Sequence, residues 1–154
     1  MVVATVGVTV GIVFGLKQVR DLVKQRQTQL FMQLYDRLNS REFQEEYNEI
    51  VYLQEWKDYD DYMSRDGPET NFKAWTSLNS IGYFFDGLGV LVRRRLIDIS
   101  LVDDLMSSSI FWLWEKMEPI IRERRKRKNR PQIWEWVEYL YGDMKARESF
   151  RSVA

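Results

Sequence analysis

The chain has 154 residues, enough for one domain, with 23 Lys and Arg against 23 Asp and Glu. A zero net charge gives no bulk case for nucleic acid. The absence of Cys and His removes disulfides, thiolate metal sites, Cys nucleophiles, the commonest general base and every Ser-His-Asp arrangement.

Residues 1–16 (MVVATVGVTVGIVFGL) carry no charge. The run is at the short limit for a membrane span, which wants roughly 17–25 residues, so it predicts a transmembrane helix that is short or begins upstream. Lys17, Arg20, Lys24 and Arg26 follow directly, which predicts a single-pass protein with its body in the cytoplasm. Gly7, Gly11 and Gly15 fall every fourth residue, a spacing that lets membrane helices pack closely, against another membrane protein or a second copy. Residues 17–38 continue as a juxtamembrane helix, polar all round at 24–29 and apolar again at Leu30, Phe31, Leu34 and Leu38.

Asn39-Ser40 breaks the pattern, and Ser40 suits the N-cap of a helix over 41–55. Phe43, Tyr47, Ile50 and Val51 form its inner face, with Glu42, Glu45, Glu46 and Glu49 opposite. Without Glu-x-x-His the glutamates predict a solvated face rather than a metal site. Residues 56–69 are acidic with an Asp-Gly-Pro turn signal, and read as a linker.

The stretch 71–96 (NFKAWTSLNSIGYFFDGLGVLVRRRL) is the centre of the pattern. Ala74, Leu78, Ile81, Phe85, Leu88 and Val92 share one face at helical spacing. Trp75, Phe84, Val90 and Leu91 widen it into a helix apolar nearly all round, which is a buried helix. Gly82 and Gly89 would let a neighbouring helix approach, and Arg93-Arg94-Arg95 suit the negative end of the helix dipole. A turn and short helix are expected over 96–106. Ser107–Ser109 should then open another, with Ile110, Leu113, Trp114, Met117, Ile120 and Ile121 on its inner face and a kink at Pro119. Residues 122–130 (RERRKRKNR) are the densest charge run. Pro131 restarts a helix whose inner face is Ile133, Trp134, Val137, Leu140 and Tyr141. Gly142 is a break, and 143–154 a frayed tail.

No P-loop, GxSxG or GxGxxG is present, and the GLG at 87–89 lies inside a helix. No catalytic, cofactor-binding or metal-binding residue is therefore assigned. Trp112, Trp136 and Tyr139 fall outside the expected inner faces. With Arg122, Arg124, Arg125, Lys126, Arg127, Lys128 and Arg130 they form the candidate contact surface for a partner or for anionic lipid headgroups.

Three stretches together resemble a known family: GVLVRRRLIDISLVDDL, then WLWEKMEPIIRERRK, then WEWVEYL. The first holds Leu96-Ile97-Asp98. The second carries Trp114, Pro119-Ile120 and Arg124-Arg125. The third has Trp136 or Val137, Glu138 and Leu140. The family is that of small membrane-anchored bacterial and archaeal proteins termed domain of unknown function 4760. Arg95 stands where the family has a Gly before Leu-Ile-Asp. The resemblance implies no activity and no cofactor.

The expected fold is all-α: a spanning helix at 1–16, a juxtamembrane helix at 17–38, a bundle over 39–142 and the tail. The expected function is a non-enzymatic, membrane-tethered interaction or regulatory domain. Alternatives are an accessory subunit of a membrane complex, held by the glycine face, and, least favoured, a nucleic-acid binder through the basic run.

Overall fold

A computed structural model describes the backbone of residues 2–151 and the side chains of 11–149. The described residues form six α-helices and no strand. Helix α1 (Val2–Leu38) is 37 residues long, and among the described residues it meets the rest of the chain over its C-terminal part, where Phe31 and Leu38 are buried and Gln27 donates to the Arg95 carbonyl. Helix α2 (Arg41–Asn48) starts at Ser40, whose hydroxyl accepts the Phe43 amide, and runs into a π-helical turn at Glu49–Leu53. The turn keeps Ile50 in line with Phe43 and Tyr47, so one buried stripe crosses the irregularity.

Residues 56–69 are not a plain linker. Asp58 caps a further helix, α3 (Tyr59–Asp66), and buries Tyr59 and Tyr62. The buried pair lies three residues apart, which is helical spacing inside an otherwise acidic segment.

Helix α4 (Phe72–Arg93) is the axis of the bundle. Asn71 caps it by accepting the Ala74 amide at 3.2 Å. Leu78, Ile81, Phe85, Leu88 and Val92 are all buried, as the spacing predicts, and Ala74 is half-buried. Phe43 of α2 meets Phe84 edge-on at 4.9 Å. Helix α5 (Ile99–Lys128) folds back along α4 after a short turn. It is one helix of 30 residues, capped by Asp98, and it passes unbroken through Ser107–Ser109 and Pro119. The serines read as a start signal, but Met106 and Ile110 on either side are buried, and this packing overrides the weak helix propensity of Ser. Helix α6 (Glu135–Arg151) likewise does not stop at Gly142. Met144 beyond it is fully buried, so the expected fraying of the tail does not occur over the described residues.

The turn from α4 to α5 explains a departure noted in the sequence. Arg95 has φ 58°, and its amide donates to Val92 while the Leu96 amide donates to Leu91. These two bonds form a Schellman cap, which favours Gly at the left-handed position. Arg95→Gly should therefore raise stability by about 1 kcal/mol, read as a higher urea midpoint. An unchanged or lower midpoint would mean that the turn carries no strain.

Candidate functional site

The basic run lies on the last turns of α5, and most of its cations are engaged within the chain. Arg122 pairs with Glu118 at 2.7 Å and Glu138 at 3.3 Å. Arg124 lies 4.6 Å from the Trp75 ring centre and donates to Asn79 at 3.2 Å. Arg127 makes a two-pronged pair with Asp60 of α3, at 2.5 and 2.9 Å, and also meets Glu123. Lys126 lies 3.6 Å from Glu123. Hydrogen bonding from Arg127 holds the carboxyls of Asp60 and Glu123 below their ordinary range. Lys128 and Arg130 are exposed and enter none of these pairs.

Arg125 points inward, contrary to the sequence expectation. Its Nε donates to the Ile133 carbonyl at 2.8 Å, one terminal nitrogen meets Glu138 at 2.6 Å, and the guanidinium lies 5.6 Å from the Trp114 ring centre. It therefore ties the 129–134 connection to α5 and α6.

Cations and aromatics are interleaved along this end of the bundle. Trp56, Tyr59, Tyr62 and Trp75 form a ring cluster between α3 and α4. Lys116, Arg124 and Arg127 of α5 cover its outer faces at 4.6–5.7 Å from ring centres. Asp66 is buried within the cluster, accepting from Trp56 Nε1 at 2.8 Å and from Asn71 at 3.0 Å. Burial pushes the Tyr62 phenol upward. This arrangement binds α5 to α3 and α4 and engages Arg124 and Arg127 of the charge run.

Of the three aromatic candidates, only Trp112 is exposed, at 50 %. Its ring meets the exposed Tyr52 edge-on at 5.8 Å. Its neighbour Phe111 packs on Tyr141 of α6. Trp136 and Tyr139 are half-buried. Trp136 lies at the attachment of α6 to α4. Asp86 of α4 accepts the amides of Trp136 and Val137 at 2.9 and 3.2 Å, satisfying donors that a helix start leaves open. Burial raises the Asp86 carboxyl despite these bonds. Above Asp86, Gly82 lies flush against the indole of Trp134. Below it, Gly89 faces the Trp136 backbone. The two glycines do admit a neighbouring helix. Trp134 reaches Gly82 only by adopting φ 56°, a strained value for a bulky residue, and its ring is buried in return.

The glutamate face borders a groove of about 390 Å³ between α2 and α4, shared with Lys73, Asn71 and Gln54. Among the described residues no group of Asp and Glu is placed to hold a metal ion.

The first part of described α1 touches nothing. Ile12, Val13, Phe14, Leu16, Val19, Leu22 and Val23 are 49–64 % exposed. A methyl group added at Gly11 or Gly15 would meet open space, while Gly7 lies outside the described side chains, as does most of the run expected to span a membrane. Among the described residues no helix is long and apolar enough to cross a membrane.

Sequence reasoning passed over one cluster. Arg93, Arg94 and Arg95 are all exposed, and no described carboxylate pairs with them. Gln27 of α1 donates to the Arg95 carbonyl at 2.7 Å, which places this turn beside the exposed part of α1. A groove of about 400 Å³ opens there, lined by Gln27, Arg93, Arg95, Asp98, Tyr139 and Arg147. The signal was present as three consecutive arginines, but they read fully as a helix C-terminus.

No curated protein and no solved structure matches the chain. A family profile described as a domain of unknown function (DUF4760) matches residues 1–144, and the chain belongs to that family.

Proposed function

We propose that this chain is a non-enzymatic, membrane-tethered helical module whose cytoplasmic body serves interaction or regulation. The observation that carries the reading is the exposed apolar stretch of α1. Seven large apolar side chains on consecutive turns are about half exposed or more. Burial of each in a hydrocarbon layer is worth roughly 1.5–3 kcal/mol. Its first part, Ile12–Leu16, ends the charge-free run of residues 1–16, and Lys17, Arg20, Lys24 and Arg26 follow that run, as they do on the cytoplasmic side of a span.

The intact chain is expected to stay with the membrane pellet after an alkaline carbonate wash. Release into the supernatant would remove the tether and leave α1 as a surface for soluble partners.

A second reading is supported by the open space at Gly11 and Gly15: an accessory subunit held against another membrane helix through that face. The basic run lends the nucleic-acid reading little support, because four of its seven cations, Arg122, Arg125, Lys126 and Arg127, are paired with Asp60, Glu118, Glu123 and Glu138.

A further inference from the structure

We propose that α1 pairs with the α1 of a second copy as a parallel coiled coil, along the face that lies opposite the body. The inference deepens the tethered reading above, since anchors in one membrane hold two copies parallel, and it names what the glycine face meets.

The body decides which face is open. At 3.6 residues per turn, Gln27, Leu30, Phe31, Leu34 and Leu38 fall on one side of α1. That side packs on the body. Phe31 and Leu38 are buried, Leu30 and Leu34 lie against the core, and Gln27 donates to the Arg95 carbonyl at 2.7 Å. The exposed Ile12, Leu16, Val19 and Val23 continue the line of Leu30 and Leu34 on this same side. A second helix laid along them would run into the body of the first copy. The opposite face stays exposed beside the body, at Gln29, Met32, Gln33 and Asp36.

The residues of that face fit a second copy. It starts with Gly11 and Gly15 and continues through Gln18, Leu22, Gln25, Gln29 and Met32. The intervals are 4, 3, 4, 3, 4 and 3 residues, the spacing of the facing positions in a coiled coil. About the axis of a symmetric pair, each of these residues meets its own copy. A charge would meet its like there. The face has none, although Lys17, Arg20, Asp21, Lys24 and Arg26 stand on the same turns. Glutamine tolerates its own copy, because its amide both donates and accepts.

The flanks set the orientation. In a parallel pair, each residue just before the Gly15, Leu22 and Gln29 positions lies beside the other copy's residue five further on. Phe14 then meets Val19, Asp21 meets Arg26, and Thr28 meets Gln33. These are an apolar pair, an ion pair and a hydroxyl with an amide, and symmetry makes each of them twice. Asp21 and Arg26 are exposed, and neither enters an ion pair among the described residues.

The charge-free run ends at Leu16, so the part from Gln18 to Met32, about 21 Å long, lies outside the bilayer. Only Leu22 and Met32 are large and apolar there. The pairing is therefore weak in free solution and draws on the high local concentration that two anchors in one membrane supply.

Because the chain has no Cys, single cysteines map the contact. The full chain would be oxidised with copper phenanthroline in membranes at low protein density, and dimers read on a non-reducing gel. A disulfide forms only where two Cβ atoms come close. Gln18→Cys and Gln25→Cys should therefore crosslink severalfold faster than Val23→Cys and Lys24→Cys. In the Gln25→Cys chain, Asp21→Arg alone or Arg26→Asp alone should slow crosslinking severalfold, because like charges then meet. The two substitutions together should restore the rate. All of these positions are exposed and off the packed side of α1, so the body keeps its fold, as circular dichroism would show.

Equal rates at the four positions, a faster rate at 23, or a loss at Asp21→Arg that adding Arg26→Asp does not repair would overturn the pairing. If the chain in those cases stays with the membrane through a carbonate wash, the tether stands and only the pairing falls. Release by the wash removes the tether alone when 18 and 25 still crosslink fastest, and both readings when they do not.

Discussion

Gly82→Ala and Gly89→Ala are each expected to lower the melting temperature by several degrees, whereas Gly87→Ala on the same helix should raise it. A Cβ at Gly82 would fall within the indole of Trp134, which is itself buried and cannot swing away. A Cβ at Gly89 would stand 2.6 Å from the Trp136 carbonyl oxygen and 2.7 Å from its Cβ. Relief there requires α6 to move as a body, and that would stretch the two amide bonds to Asp86. Forced overpacking costs about 3 kcal/mol, while the gain in helix propensity is about 1 kcal/mol. Overpacking wins by about 2 kcal/mol, or roughly 4–8 °C in a chain of this size. Gly87 faces open space, so only the propensity gain remains. Thermal unfolding of the three variants decides the matter. If Gly82→Ala and Gly89→Ala behave like Gly87→Ala, α6 is not seated on α4 through these residues.

The second large effect is expected at Arg125. Its side chain is only 14 % exposed, and it satisfies the Ile133 carbonyl, half-buried Glu138 and the face of Trp114 together. Arg125→Ala removes all three and should cost about 2–3 kcal/mol, after discounting for the partial exposure of Glu138. Lys128→Ala and Arg130→Ala, in the same charge run, should fall within about 0.5 kcal/mol of the parent. Arg125→Met keeps the apolar stem and should recover part of the loss. Urea unfolding of the set separates an inward cation from two solvated ones. A loss at Arg125 no larger than at Lys128 would show that the 129–134 connection is held by other means.

These two results would test opposite kinds of legibility. The inner face of α4 and the role of Gly82 and Gly89 could be read in the chain, because both follow from a period of 3.6 and from the size of a side chain. So could the cap at Ser40, which depends on local spacing. The partners of Arg125 and Arg127 could not. Glu138 and Asp60 lie 13 and 67 residues away, and no local pattern announces them. A run of like charge therefore looked free when four of its seven cations were already paired. The shorter run at 93–95 looked like a helix end, and it is one. Its exposure beside α1 depends on how α4 and α1 meet, through Gln27. Helix α3 was hidden differently. Its acidic residues dominate the composition, and only Tyr59 and Tyr62 carry the helical spacing.

Helix α1 has a mechanical consequence. Between Leu16 and Leu38 it contains neither Gly nor Pro, so it has no hinge. Its inner end is fixed in the core by Phe31 and Leu38, and its described outer part, Ile12–Val23, keeps its large apolar side chains exposed. A piston movement of the outer end by one residue, about 1.5 Å, or a twist about the axis, is delivered undiminished to those two side chains. The helix is thus a stiff push-rod, and any partner that grips it outside the body works directly on the core.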